Sequence, residues 1–194
     1  MTTASTEVLA KGINFTCAKK YVETNYGPET WDRIIARLTP EAIAVWQGSL
    51  LAGSEYPFLA FKEMISSTIT ELRTTNDAEI AAIYEYIADQ SLNSLYKIFF
   101  KFANPSYVIK NYPLLWTRFF NAGVVDVPVA EKGRGVVRFL LPDIFDDWLT
   151  PACLGYSKKA VEMGGGKDLS MTRTSYQKKD EGLFESVYEL RWTE

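Results

Sequence analysis

The sequence contains no histidine. That removes Ser-His-Asp and Cys-His catalysis, and with them any zinc or haem iron held by imidazole. Cysteine is scarce, with only Cys17 and Cys153. Two thiols make no disulfide framework, and a reducing cytoplasm is the expected location. No apolar run approaches the ~18 residues that cross a bilayer, so no transmembrane segment is expected. The opening MTTASTEVLAKG lacks the apolar stretch of a secretory signal. Positive charge is not in excess either: the formal net charge is −3, which argues against nucleic-acid binding, since that needs a concentrated basic face. Asp and Glu number 24, yet no spaced pair stands out as an acid/base couple. No catalytic residue is assigned, and the chain reads as non-enzymatic.

Large apolar side chains are plentiful: the 194 residues are 47% hydrophobic and 14% aromatic. That suffices for one well-packed domain spanning 1–194. The N-terminal two thirds read as helices. KGINFTCAKKYVETNYG puts Ile13, Cys17, Tyr21 and Val22 on one face and stops at Gly27. Pro28 and Pro40 fit the first turns of two further helices, the first with Trp31, Ile34, Ile35 and Leu38 inward, the second capped by Thr39. A helix over 57–72 buries Phe58, Phe61, Met64, Ile65 and Ile69. The longest helix starts at the cap Asn76 and carries Ile80, Ile83, Tyr84, Ile87, Leu95, Ile98, Phe99 and Phe102 at helical spacing, until Asn104-Pro105 stops it. Ser91 and Ser94 interrupt its apolar stripe. A short helix, PSYVIKNY, leads into PLLWTRFFNAG, where Trp116, Phe119 and Phe120 cluster.

After Gly123 the period changes to two. VVDVPVAEKGRGVVRFLL reads as two strands about a Lys132-Gly133-Arg134-Gly135 turn. One more helix follows, capped by an aspartate among 143–147, and then two alternating strands around a tip at 178–182. On the last strand Ser186, Tyr188, Leu190 and Trp192 share one face, with Val187, Glu189 and Arg191 on the other. The expected fold is α+β: an N-terminal helical layer on a C-terminal four-stranded antiparallel sheet built β-β-α-β-β.

Gly164-Gly165-Gly166-Lys167 invites a phosphate-loop reading, which its direction refutes. A phosphate loop follows a strand and opens a helix, where N–H groups point at the anion. These glycines follow a helix and enter a strand, so they are a helix stop. Asp143, Asp146 and Asp147 read as helix-capping carboxylates rather than cation ligands. Cys17 and Cys153, on apolar faces, read as small buried hydrophobes.

The aromatic segment 95–120 either fills the core or walls an apolar cavity with a few polar groups on its floor. In the second case Ser91, Ser94, Leu95, Phe99, Phe102, Trp116, Phe119 and Phe120 are the candidate ligand-binding residues, with Ser67 a further polar group. The serines would alternatively let helices approach closely.

The lead KGINFTCAKKYVETNYGPETWDRI resembles the start of H-NOX (haem nitric oxide/oxygen-binding) domains in its helix, Tyr-Gly and Glu-x-Trp. The tail DDWLTPACLGYSKKAVEMGGGKDLSMTRTSYQKKDEGLFESVYELRW resembles the 4-vinyl reductase domain. Those two and the small TRAPP trafficking subunits form one ligand-binding superfamily, and the resemblance covers nearly the whole chain in order of elements. It implies an apolar cavity between helices and sheet that holds haem, an aromatic effector or an acyl chain in different relatives. PSYVIKNY falls roughly where H-NOX proteins place the haem-ligating histidine, and this chain has Ser106 and Tyr107 there. It also lacks the Tyr-x-Ser-x-Arg that grips the haem propionates and the cysteine cluster of some 4-vinyl reductase domains. On that ground no haem, no metal and no other cofactor is expected. The resemblance leaves two readings. One is a cytoplasmic, homodimeric sensor or carrier that binds a hydrophobic small molecule or fatty acid and signals to a protein partner. The other is an adaptor or dimerisation scaffold whose core is filled by side chains.

Overall fold

A computed structural model describes residues 7–95 and 104–194, apart from the side chains of 76 and 93–95. The helical layer comprises α1 (Gly12–Tyr26), α2 (Pro28–Ile35), α3 (Pro40–Gln47), α4 (Phe58–Leu72) and α5 (Asn76–Leu95). Then come α6 (Pro105–Lys110) and α7 (Tyr112–Phe119), the hairpin β3 (Val124–Glu131) and β4 (Arg134–Pro142), a 3₁₀ turn at Asp143–Phe145, α8 (Asp146–Met163), and the hairpin β5 (Lys167–Lys178) and β6 (Leu183–Thr193). The four long strands form one antiparallel sheet in the order β3-β4-β6-β5. Two three-residue strands, β1 (Leu9–Lys11) and β2 (Glu55–Pro57), pair separately. Runs that short carry no alternation from which to read them in sequence.

Local signals explain the helix boundaries. Gly27 leaves α1 at φ 87° while its N–H still reaches Glu23 O. The Thr39 side chain accepts from Ala42 N at the start of α3. After α8, Gly165 at φ 89° turns the chain, and the N–H of Gly166 bonds Val161 O at 2.9 Å. Side chains at this stop would collide, since a Cβ on Gly166 would lie 2.7 Å from Val161 and 2.9 Å from Pro105.

The sheet shows one face to the helices and one to solvent. Val137, Phe139 and Leu141 of β4, with Phe184, Tyr188, Leu190 and Trp192 of β6, are buried. On the open face Arg134 pairs with Glu189 at 2.7 Å and Arg138 with Asp126 at 2.5 Å. The β3–β4 turn is tighter than expected: Arg134 and Gly135 belong to β4, which leaves Lys132-Gly133 as the loop, with Gly133 at φ 73°.

Two further expectations are corrected. The buried stripe of α1 runs through Asn14, Phe15, Cys17, Ala18 and Val22, while Ile13 and Tyr21 are only half-buried. Asn14 tolerates full burial because its Nδ2 donates to Lys11 O and its Oδ1 accepts from Tyr84. No aspartate side chain caps α8. Asp143 and Asp146 pair instead with Lys178, and Asp147 with Lys62, which ties the start of α8 to β5 and α4. Those lysines offer a charge-assisted bond that outcompetes a backbone N–H for the carboxylate.

Candidate functional site

The centre of the molecule is a knot of aromatic rings where α7 and α8 meet α5 and the sheet. On α7 and just past it, Tyr112, Leu115, Trp116, Phe119 and Phe120 recur at helical spacing, and all are buried. On α8 the same register holds Trp148, Ala152, Cys153 and Tyr156, and α5 adds Tyr84. These ten residues enclose a cavity of about 30 Å³. Trp116 and Phe120 lie 4.6 Å apart between ring centroids, Phe120 and Trp148 5.3 Å, and Tyr84 and Trp148 4.9 Å.

A close helix crossing sets this arrangement. A Cβ on Gly155 would sit 2.0 Å from Ala81 O, so α8 rests against the α5 backbone there. Only glycine permits that approach. Ala152, Cys153 and Tyr156 flank the contact and are thereby presented to the cavity.

Among the described residues no charged side chain lines the cavity. Its polar groups are neutral and mostly satisfied. The Tyr84 hydroxyl donates to Asn14 Oδ1 at 3.3 Å, Ser157 donates to the Tyr112 oxygen at 3.4 Å, and Trp116 Nε1 donates to Ala122 O at 2.9 Å. Burial raises the Tyr84 and Tyr112 hydroxyls well above the usual tyrosine range, and pushes the Cys153 thiol up to about 12. Cys17, outside the cavity, is raised to about 11, again by burial. Both cysteines are therefore protonated thiols at neutral pH. One donor stands apart: Trp148 Nε1 is buried and makes no hydrogen bond of good geometry, although the Tyr84 hydroxyl is near enough to feel it.

Of the candidates read from sequence, Trp116, Phe119 and Phe120 meet around this cavity. Ser91 is buried on α5 but is not among the lining residues, and its Oγ reaches Ala88 O of its own helix at 3.3 Å. Ser67 donates to Ile34 O at 2.8 Å and so joins α4 to α2. The side chains of Ser94 and Leu95, and the whole of Phe99 and Phe102, lie outside the described residues. Tyr107, the residue near the expected ligand position of the family, is 48% exposed on α6. Sequence reading did not select Tyr84, Tyr112, Trp148, Cys153 or Tyr156 for this site. The available signal was Trp148-x-x-x-Ala152-Cys153-x-x-Tyr156, one helical face mixing large rings with small side chains.

No family model and no curated protein matches the chain. Solved structures do. An Fe(II) unliganded H-NOX protein from K. algicida superposes with a TM-score of 0.73 at 17% identity, covering 95% of this chain and 97% of that one. An oxygen-binding H-NOX domain related to soluble guanylate cyclases, in its oxygen complex, gives 0.69 at 9% identity and covers 95% of each chain. A structure solved to show how protein-induced porphyrin distortion modulates heme redox potential gives 0.69 at 8% identity, covering 93% and 99%. The chain has the H-NOX fold.

These neighbours overturn the expectation of no cofactor, because they include heme- and iron-containing proteins. That expectation leaned on the absent histidine, and imidazole is only one of the ligands haem iron accepts, alongside Cys thiolate and Tyr. The cavity presents three tyrosines, while Cys153 stands there as a protonated thiol and not a thiolate. Its volume does not suit a porphyrin as the side chains stand: about 30 Å³ is the room of a water molecule or two, where small-molecule pockets run to roughly 300–1,000 Å³.

Proposed function

Taking the H-NOX fold as the premise, we propose that the chain is a non-enzymatic sensor domain. A small neutral molecule sits in the aromatic cavity between α5, α7 and α8, and a protein partner reads the bound state. The observation that carries this reading is the Trp148 N–H. A buried donor left without any acceptor costs ~1–3 kcal/mol; the Tyr84 oxygen near this N–H offsets part of that, and a well-placed ligand oxygen in the adjoining cavity would recover the rest. With no charged side chain among the described walls, a charged ligand would be desolvated there without compensation. Ring-lined walls suit an aromatic effector with one hydrogen-bond acceptor better than an acyl chain, and a ligand of that size requires the α7 side chains to move apart.

The small volume favours a second reading, in which side chains already fill the space and the protein is a scaffold. Native mass spectrometry of the purified protein, followed by incubation with phenols, fatty acids and haem in turn, separates the two. A stoichiometric mass addition with a phenol is the expected result. A bound ligand at a hundred-fold excess over Kd stabilises by about 2.7 kcal/mol, a rise of roughly 5–10 °C in Tm. No adduct and no shift with any of the three classes would leave the scaffold.

A further inference from the structure

A second buried polar cluster lies away from the cavity, where the end of α1 meets the start of α5. Glu79, in the first turn of α5, is only 4% exposed. One carboxyl oxygen, Oε2, accepts from the Tyr26 hydroxyl at a long 3.4 Å. The other, Oε1, is buried with no partner. Tyr21, five residues before Tyr26 in α1, also bears on the carboxyl through its hydroxyl. The Tyr21 ring meets Tyr26 edge-on at 6.0 Å and the tilted ring of Tyr86 at 5.7 Å.

An ionised carboxylate here would be poorly served. It is an acceptor only, and the donors that reach it are two neutral hydroxyls, Tyr26 at a long 3.4 Å and Tyr21, with no hydrogen bond of good geometry to the buried Oε1. Among the described residues no Lys or Arg forms an ion pair with it; Tyr21 and Tyr26 on α1 are the titratable groups that face it, and Asp77 is its acidic neighbour on α5. The amino end of α5 favours negative charge, but burial outweighs that and the hydroxyl contacts, and Glu79 binds its proton more tightly than an ordinary glutamate. A protonated carboxyl, by contrast, gains an O–H to share with the tyrosine oxygens.

We propose that Glu79, Tyr21 and Tyr26 form a proton-operated clasp between the end of α1 and the start of α5, closed when the carboxyl carries its proton and loosened when it is lost. Tyr26 is already 38% exposed, so loosening requires only that this last turn of α1 lift and let water reach the carboxylate. The same α1–α5 interface carries the Tyr84–Asn14 bond behind the cavity, which gives the clasp a route to the ligand-lined wall.

The sign is set by linkage. A group that binds its proton more tightly in the fold stabilises the fold below its unfolded pKa, and that contribution is lost as pH rises through the folded pKa. The experiment compares urea unfolding of the wild type and Glu79→Gln from pH 4 to pH 9, with carboxyl ¹³C NMR of the wild type alongside. The amide cannot ionise, so the ratio of the two unfolding constants should stay flat at acid pH. Between the unfolded pKa of ~4.3 and the folded pKa it should turn against the wild type, approaching tenfold per pH unit, and it should level off above the folded pKa. The Glu79 ¹³C inflection should lie above the ~4.3 of a free glutamate. Tyr26→Phe removes a donor that favours the carboxylate and should move that inflection further up. A parallel pH dependence of wild type and Glu79→Gln, or an inflection at or below ~4.3, would overturn the proposal. Should Glu79→Gln fail to fold, the wild-type and Tyr26→Phe titrations decide it alone.

Discussion

Replacing Gly155 with alanine probes the contact on which the site is built. The added Cβ would stand 2.0 Å from Ala81 O, 2.7 Å from Ala81 C and 2.9 Å from Ala81 Cα, where ordinary contact begins at 3.4 Å. All three atoms are backbone, so no side chain can rotate out of the way; α5 and α8 must part by more than an ångström. Overpacking of this kind costs ~1–3 kcal/mol or more, and the rigid obstacle puts this site at the upper end. Alanine returns about 1 kcal/mol through its better helix propensity. The net loss is about 2 kcal/mol, which in a chain this long lowers Tm by roughly 4–8 °C. Gly53→Ala is the control: a Cβ there meets nothing within 4 Å, and the change should be neutral or slightly stabilising. Thermal melts followed by far-UV circular dichroism measure both. A Gly155→Ala variant as stable as the wild type refutes the close crossing and the cavity geometry derived from it.

Other outcomes follow from the same structure. Trp116→Ala, which empties a buried position beside the cavity, should cost ~3–5 kcal/mol in urea unfolding; a loss under ~1 kcal/mol would mean the rings are loosely packed. Cys153, with its thiol pushed up to about 12 by burial, should resist iodoacetamide at pH 8 until the protein unfolds. The unfolded thiol ionises near ~8.5, so the contribution of Cys153 is full below that pH and fades toward pH 12, and Cys153→Ala should flatten that alkaline loss. Glu71 shows the opposite sign. Its bond from Arg33 and the nearby charge of Arg37 lower its pKa, so its contribution is present above the ordinary glutamate pKa and lost as pH falls through the lowered one. Glu71→Gln should therefore weaken the pH dependence on the acid side, and an unchanged acid limb would show the pair to be idle. A homodimer of the 22.0 kDa chain is expected in light scattering, C2 pairing being the commonest soluble assembly; a monomer across the micromolar range would exclude it.

Sequence reading went furthest where a local rule decides the structure. Gly27-Pro28 and Thr39-Pro40 fix helix boundaries through backbone φ and capping, which need only neighbouring residues. The strict alternation from Ser186 to Trp192 fixes which face of β6 is inward. The site was half legible. The spacing of Trp116, Phe119 and Phe120 put them on one face, but what they meet depends on how α8 crosses α5. That crossing rests on Gly155, which in a sequence looks like a weak point in a helix and in the structure is the contact itself. Buried polar residues were invisible for a related reason. Nothing near Asn14 or Glu79 in the sequence marks them for burial, because their partners Tyr84 and Tyr26 lie 70 and 53 residues away. Ser91 shows the converse, since a small polar side chain in an apolar stripe fits a cavity floor and a self-bonded helix residue equally well.

Whether the aromatic cavity takes a ligand through the Trp148 N–H is decided by calorimetric titration of phenol and of toluene into three proteins. These are the wild type, Trp148→Phe, which removes the donor while keeping a ring, and Ala152→Val, which fills part of the cavity. The account predicts that wild type binds phenol more tightly than toluene, that Trp148→Phe loses most of this preference, and that Ala152→Val weakens both ligands. Binding of neither ligand to the wild type, or phenol binding that ignores both substitutions, would contradict it.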